Sequence, residues 1–210
     1  MASFLRGTLK LALFIAVPIA VVLLIIKLMY VDVVTVSHNG MAPTVFAGDE
    51  VLMWRGARID RGDIAVCRHP REPGRFVMAR VIGLPTVSIG MERGGIVVGG
   101  DPPNVDRRGE VSFEDTTLDS RRTLQWGIEE FGYDRHFIFE DARRPLRVRP
   151  IASLDGLYLL GDYRGYAGED SRTFGTVQAS ECVGEVFMLL RPGPVSLDAF
   201  PRGWFSLLGP

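Results

Sequence analysis

Few side chains of this sequence have the types and spacing that nucleophilic catalysis needs. Ser37 stands next to His38, and a serine hydroxyl attacks only when a nearby base takes its proton. Adjacent side chains of an extended segment point to opposite faces, so we do not expect these two to form a catalytic pair. The other histidines, His69 and His136, are scattered, and no group of cysteines and histidines accompanies them. The sequence therefore predicts no metal ion and no cofactor.

Four short blocks rich in glycine, aspartate and arginine are the most distinctive pattern. In chain order they are Gly40-Met41-Ala42-Pro43-Thr44 with Gly48-Asp49 soon after, Arg61-Gly62-Asp63, Ala79-Arg80-Val81-Ile82-Gly83, and Gly161-Asp162-Tyr163-Arg164 with Asp170-Ser171-Arg172. Glycine and proline favour turns, and acids beside arginines favour buried ion pairs. Taken by themselves, the blocks indicate a scaffold of turns and ion pairs.

In this order the blocks resemble those of signal peptidase I, the membrane-bound serine/lysine peptidases that trim exported proteins. The resemblance covers about residues 33 to 190. In that family the nucleophilic serine stands immediately before the Met of the Met-x-Pro-Thr motif, and here that position is Gly40. The general-base lysine stands immediately before the Arg of Arg-Val-Ile-Gly, and here that position is Ala79. The resemblance therefore implies a preserved frame from which the serine and the lysine are absent.

The resemblance also locates the supporting groups of that site. A second oxyanion donor, commonly a serine, falls at His38, and the serine that orients the lysine falls nearest to Ala167. The backbone N–H of Gly40 remains and could still point at a carbonyl oxygen. The positions that the resemblance assigns to the structural frame are Met41, Pro43, Thr44, Gly48, Asp49, Arg61, Gly62, Asp63, Arg80, Gly161, Asp162, Arg164, Asp170, Ser171 and Arg172.

From these positions we predict a membrane-anchored pseudo-enzyme of the signal peptidase I type. It would bind or brace other membrane proteins, or hold an extended peptide in its groove by strand addition. The alternative is an active signal peptidase that uses residues in an unexpected register, or one whose catalytic residues were replaced in this chain. The net charge of −1 and the lack of a basic stripe give no reason to expect nucleic acid.

The apolar run at residues 11–31 predicts a transmembrane anchor, because a helix of this length would cross a bilayer. A cleaved signal peptide would need small residues after the run, and these are absent. Arg6 and Lys10 precede the run, so residues 1–10 would form a cytoplasmic tail at the bacterial inner membrane. The main domain, residues 32–194, would then be periplasmic.

That domain is predicted to be mainly β, as an antiparallel sandwich or open barrel. The predicted strands are Val51–Trp54, Ile64–Cys67, Phe76–Ile82, Val87–Ile89, Ile96–Val98, Arg135–Phe139, Leu157–Leu160 and Cys182–Leu190. We expect residues 101–123 to form a polar loop and Leu124–Phe131 to form a turn of helix. The tail, residues 195–210, would pack on the domain or lie in the headgroup region. Oxidising conditions would permit a Cys67–Cys182 disulfide, but a single pair without distinctive spacing predicts no bridge. We therefore expect two half-buried strand cysteines.

Overall fold

One long helix, α1 (Ala2–Tyr30), opens the chain. The structure, a computed structural model, describes residues 2–102, 104–115, 120–131, 134–166, 168–195, 197, 200, 203 and 205–208. The described apolar side chains of this helix, among them Phe14, Leu24 and Leu28, are largely exposed. Within the described part of the chain, however, no helix is both long and apolar enough to cross a membrane. The predicted helix is therefore present, whereas the predicted transmembrane anchor over 11–31 is not supported.

The central feature is an antiparallel sheet in the order β1-β2-β11-β3-β4-β10, with β12 paired to β11. Its strands are β1 (Val31–Thr35), β2 (Glu50–Arg55), β3 (Ile64–Arg68), β4 (Phe76–Gly83), β10 (Tyr158–Leu160), β11 (Cys182–Arg191) and β12 (Ser206–Leu207). In β2, Val51 and Met53 are buried while their neighbours are more exposed, the alternation expected of a strand with one face on a core. β4 is buried from Val77 onward, and it pairs with β3 from Phe76 to Arg80 and with β10 from Arg80 to Gly83.

Two smaller antiparallel sheets complete the domain: the hairpin β5 (Ile89–Glu92) with β6 (Gly95–Val98), and the three-stranded sheet β7-β8-β9. The latter comprises β7 (Asn104–Asp115), β8 (Ser120–Phe131) and β9 (Asp134–Glu140). The mainly β, antiparallel architecture predicted from the sequence is confirmed.

The three-stranded sheet corrects two of the sequence predictions. The described part of 101–123, predicted as a polar loop, lies mostly in β7 and the beginning of β8. Leu124–Phe131, predicted as a turn of helix, is the second half of β8. The physical reason is non-local: β8 pairs with β7 on one side and β9 on the other, so its hydrogen bonds and buried side chains come from distant segments.

Phe200 of the carboxy-terminal tail packs on the domain, whereas Phe205 and Leu207 are exposed. Phe200 is buried against Trp126, Phe137 and Phe139, with ring centroids 5.1, 5.4 and 5.5 Å away. Such edge-on aromatic contacts add stabilisation to the buried apolar area. Of the two arrangements open at the sequence level, packing on the domain is therefore present.

The two cysteines form a disulfide, which corrects the expectation that they stay unpaired. Cys67 of β3 and Cys182 of β11 are direct partners in the antiparallel ladder, with Cα atoms 3.7 Å apart and an S–S distance of 2.08 Å. They are 115 residues apart in sequence. Only the pairing of β3 with β11 brings them together, and the spacing of the cysteines carries no sign of that pairing.

Candidate functional site: a buried glycine centre beside a narrow groove

The 3₁₀ turn Asn39–Met41 places Gly40 in the interior. The N–H of Gly40 donates a hydrogen bond to His38 Nδ1 at 3.0 Å, and its carbonyl accepts one from the N–H of Tyr163 at 3.1 Å. A Cβ at Gly40 would lie 2.8 Å from His38 Nδ1 and 3.4 Å from a ring carbon of Tyr166. A side chain at this position thus requires the His38 ring to move. The Gly40 N–H, which the sequence left available for a carbonyl oxygen, instead donates to His38.

A buried asparagine fixes this turn, although no sequence motif pointed to it. Asn39 Nδ2 donates to Asp115 Oδ1 of β7 at 2.7 Å, and Asn39 Oδ1 accepts from the N–H of Ala47 at 2.9 Å. Buried polar groups of this kind hold a loop in one conformation because an unmade bond is costly. Asn39 and Asp115 stand 76 residues apart, so their pairing exists only in the folded chain.

Ala79 lies in the middle of β4, opposite Ala65 of β3. It is completely buried in the apolar cluster that also contains Met41, the neighbour of Gly40. The fold therefore brings the segments that carry Gly40 and Ala79 against one apolar core. The only lysines of the sequence are Lys10 and Lys27, and both belong to α1.

Arg80, the next residue of β4, points to the opposite face and ties three segments together. Its Nε and Nη2 donate to the two carboxylate oxygens of Asp162 at 2.9 and 2.7 Å, and its Nη1 donates to the carbonyl of Gly62 at 2.7 Å. Thr44 Oγ1 donates to Asp162 Oδ2 at 2.5 Å. Burial acts to raise the pKa of Asp162, but the Arg80 guanidinium and its hydrogen bonds hold that pKa below its usual value. Asp162 is therefore ionised and bound to a buried arginine.

A second buried charge cluster lies next to the first. Arg164 pairs with Glu129 of β8, and His136 Nε2 of β9 lies 3.1 Å from Glu129 Oε2. All three side chains are almost completely buried. Burial and the nearby Arg80 guanidinium lower the pKa of His136, so its imidazole is neutral in neutral solution. Sequence reasoning placed Arg164 in the frame but missed Glu129, which lies in the segment predicted as a turn of helix. His136 lies in a strand that was predicted correctly, but its pairing with Glu129 was not foreseen.

The third cluster holds the loop after β10. Asp170 accepts a hydrogen bond from the N–H of Arg172 at 3.1 Å and so caps the short helix α2 (Ser171–Phe174). The Arg172 guanidinium donates to Asp170 and to the carbonyls of Arg164 and Tyr166, both at 2.6 Å. Ser171 Oγ accepts from the N–H of Leu159 at 2.8 Å. Ala167, the position matched to the lysine-orienting serine, lies outside the described residues.

The remaining frame positions lie in the turns and loops of the domain. Asp49 accepts from the N–H groups of Phe46 and Gly193, both at 2.7 Å. Asp63 accepts from the N–H of Asp60 at 2.6 Å, and burial raises the pKa of Asp63. The other members are Pro43 after a cis peptide bond, Gly48 and Gly62 with positive φ, Arg61 in an ion pair with Asp134, and Gly161 against the Gly40 carbonyl.

A narrow groove opens beside the glycine centre. One wall runs from Val34 to His38, and the other is the beginning of β4, Phe76–Met78. The cavity between them measures about 90 Å³. A wider cleft of about 590 Å³ adjoins it and shares Val34, Val66 and Phe76 with it. The groove is thus a continuous but uneven depression along one face of the central sheet.

Comparison with known proteins defines the class to which this fold and site belong. The family described as signal peptidase, peptidase S26, matches residues 8–190. The chain therefore belongs to the signal peptidase family. No curated protein matches the chain.

Proposed function

We propose that this chain is a non-catalytic member of the signal peptidase family that binds an extended peptide without cutting it. The main observation behind this proposal is the environment of Gly40. The position matched to the nucleophile is Gly40, and its N–H is held by His38 rather than directed at a ligand. A side chain there would meet the His38 ring at 2.8 Å. Neither the attacking group nor a free oxyanion donor is present at that point.

The absence of a suitable base supports the same conclusion. Ala79 cannot accept a proton, and the two lysines of the sequence precede β1. Histidine is the other residue type expected as a base, but both ring nitrogens of His38 face other groups, namely the N–H of Gly40 and the carboxylate of Glu169. Among the described residues, no serine hydroxyl forms a hydrogen bond with a histidine.

Two strand edges make the groove suitable for an extended peptide. Among the described strands, β1 pairs with β2 alone, and the part of β4 before Arg80 pairs with β3 alone. Each therefore presents unpaired backbone N–H and C=O groups on its other edge. A peptide strand can form a ladder with such an edge, while pockets along the groove receive alternate side chains.

The test has a cleavage arm and a binding arm. The purified chain is incubated with a secretory precursor, and a fluorescein-labelled peptide spanning the cleavage region of that precursor is titrated by fluorescence anisotropy. We expect binding and no cleavage. Efficient cleavage by the unchanged chain would instead establish the active-peptidase alternative.

A matched pair of variants locates the binding. Ser37 is exposed and lines the groove, whereas Ser153 is exposed in a loop on another part of the domain. We expect Ser37→Trp to abolish peptide binding by filling the groove and Ser153→Trp to leave it unchanged. Equal affinities of the two variants would place the peptide elsewhere.

The structure also shows what restoring catalysis would need. Gly40→Ser with Ala79→Lys leaves the His38 ring where the new side chain must stand. The triple replacement that adds His38→Ser removes this obstruction and supplies a hydroxyl at the second oxyanion position. Cleavage by the triple variant but not by the double variant would support this view of the centre.

A further inference from the structure

We propose that Glu169 keeps the groove closed by tying its two walls together, and that a peptide binds only when this contact opens. The inference rests on the proposed function and adds a control step to the same site. We call the three side chains His38, Glu169 and Arg75 the clamp.

His38 is the clamp residue on the first wall. Its Nε2 lies 3.8 Å from Glu169 Oε2, which is a contact longer than a hydrogen bond, while its Nδ1 accepts a hydrogen bond from the N–H of Gly40. The ring also stacks on Tyr166, with centroids 5.6 Å apart and planes inclined by 17°. The imidazole thus cannot turn away from Glu169 without losing both the hydrogen bond and the stacking contact.

Arg75 is the clamp residue on the second wall, directly before Phe76. Its Nη2 forms an ion pair with Glu169 Oε1, and its Nη1 donates to both carboxylate oxygens of Glu72 at 2.9 and 2.8 Å. Hydrogen bonding to Glu72, and the charge of Glu169 in addition, raise the pKa of Arg75. Glu72 thereby holds the Arg75 guanidinium in position through Nη1, and Nη2 of the same guanidinium remains to bind Glu169.

The size of the groove shows why the clamp matters for binding. Pockets that enclose a ligand usually measure about 300–1,000 Å³. The space between the clamped walls is about 90 Å³, well below that range. The adjoining cleft of about 590 Å³ lies within it and shares Val34 and Phe76 with the groove. Separation of the walls would widen the narrow groove, so that it and the adjoining cleft form one site long enough for an extended peptide.

The contact is weak enough to act as a switch. The side chains of Arg75 and Glu169 are 41% and 18% exposed, so solvent screens their attraction. Partly exposed ion pairs of this kind change an equilibrium by up to about fivefold. A peptide that gains a new ladder of hydrogen bonds can therefore displace the clamp.

The test compares Glu169→Gln with Glu114→Gln. The control residue pairs with Arg121 at 3.4 Å on the exposed β7-β8 hairpin, outside the groove. The two quantities to be measured are amide hydrogen exchange of the folded protein and the affinity for the labelled precursor peptide. For Glu169→Gln we expect faster exchange in residues 34–38 and 76–78 and an affinity higher by about threefold to fivefold. Arg75→Gln should act in the same direction, and Glu114→Gln should change neither quantity.

The outcomes separate this inference from the proposed function. Unchanged exchange in both walls of Glu169→Gln and Arg75→Gln would overturn the clamp, as would the same acceleration in Glu114→Gln. If exchange accelerates but neither the unchanged chain nor its variants bind the peptide, the clamp stands and the proposed function fails. If the unchanged chain binds the peptide as tightly as Glu169→Gln does, the groove is not controlled by Glu169.

Discussion

Replacing Asp162 by Asn should cost this protein a large part of its stability. Asp162 is completely buried and is the counter-charge of the nearly buried Arg80, whose Nε and Nη2 both donate to it. Asparagine keeps the shape of the side chain but removes the negative charge. It also replaces one acceptor oxygen with a donor, so that the Thr44 hydroxyl and one Arg80 N–H each face a group that cannot accept.

The expected loss of stability follows from the unpaired Arg80 charge that remains buried in the variant. Removing one partner of a buried ion pair leaves an uncompensated charge and typically costs about 3–5 kcal/mol. The loss of the hydrogen bond from the Thr44 hydroxyl to the ionised Asp162 carboxylate would cost about 1.5–3 kcal/mol. We therefore expect Asp162→Asn to lower the free energy of unfolding by about 3–5 kcal/mol and Thr44→Val by about 1.5–3 kcal/mol.

Urea unfolding followed by circular dichroism measures both changes at pH 7. Glu114→Gln serves as the exposed control, since its ion pair with Arg121 is largely solvated and should contribute less than about 1 kcal/mol. A loss below about 1 kcal/mol for Asp162→Asn would refute the reasoning, because it would mean that the Arg80 charge is stabilised by something other than Asp162.

The pH dependence gives an independent check with a definite sign. Because the folded-state pKa of Asp162 lies below its ordinary value of 3.8, its contribution is fully present above that value. The contribution is lost as the pH falls through the lowered folded-state pKa. The stability difference between the unchanged chain and Asp162→Asn should therefore be constant from neutral pH to about pH 5 and shrink below pH 4. If the stability difference between the two proteins stayed constant in acid, the lowered pKa of Asp162 would be contradicted.

Three further predictions concern other parts of the domain. The double change Cys67→Ala with Cys182→Ala should lower the free energy of unfolding by about 2–5 kcal/mol, because the disulfide closes a long loop in the unfolded chain. Urea unfolding with and without reductant measures this loss. The free energy of unfolding should decline as the pH falls below 6.5, the ordinary pKa of a histidine. Burial lowers the pKa of His136 in the folded protein, so the unfolded chain takes up the proton first. His136→Gln should remove this His136-dependent decline in a pH series of thermal unfolding. Gly161→Ala should destabilise by about 1–3 kcal/mol, because the new Cβ would lie 2.5 Å from the Gly40 carbonyl oxygen.

Each of these three predictions can be contradicted by a definite result or checked against a control variant. A Cys67→Ala, Cys182→Ala chain that is equally stable would show that ladder pairing alone fixes β3 to β11. An unchanged pH profile in His136→Gln would assign the acid sensitivity to other groups. Gly90→Ala is the matched glycine control, because its nearest neighbour is 4.0 Å away and its φ is not positive, so it should cost much less than Gly161→Ala.

Local patterns were sufficient for much of the central sheet. Runs such as Phe76–Ile82 and Cys182–Leu190 are rich in β-branched and apolar residues and are bounded by turn residues, so each specifies a strand with its neighbours alone. β8 behaves differently. Its residues carry no strong strand signal, and it is a strand because β7 and β9 pair with both of its edges. The helix predicted there was wrong because non-local pairing outweighs local preference.

By itself, the sequence determined which chemical groups stand at the centre: glycine and alanine at the matched positions, and no lysine after α1. Residue identity cannot be altered by folding, so this part needed no coordinates. Only the tertiary structure decided how the remaining groups are used. It turned His38 onto the N–H of Gly40, joined Arg75 to Glu169 across 94 residues, and placed Cys67 against Cys182. Those contacts join residues that are distant in sequence or depend on a side-chain orientation, and both are set by the packing of the whole domain.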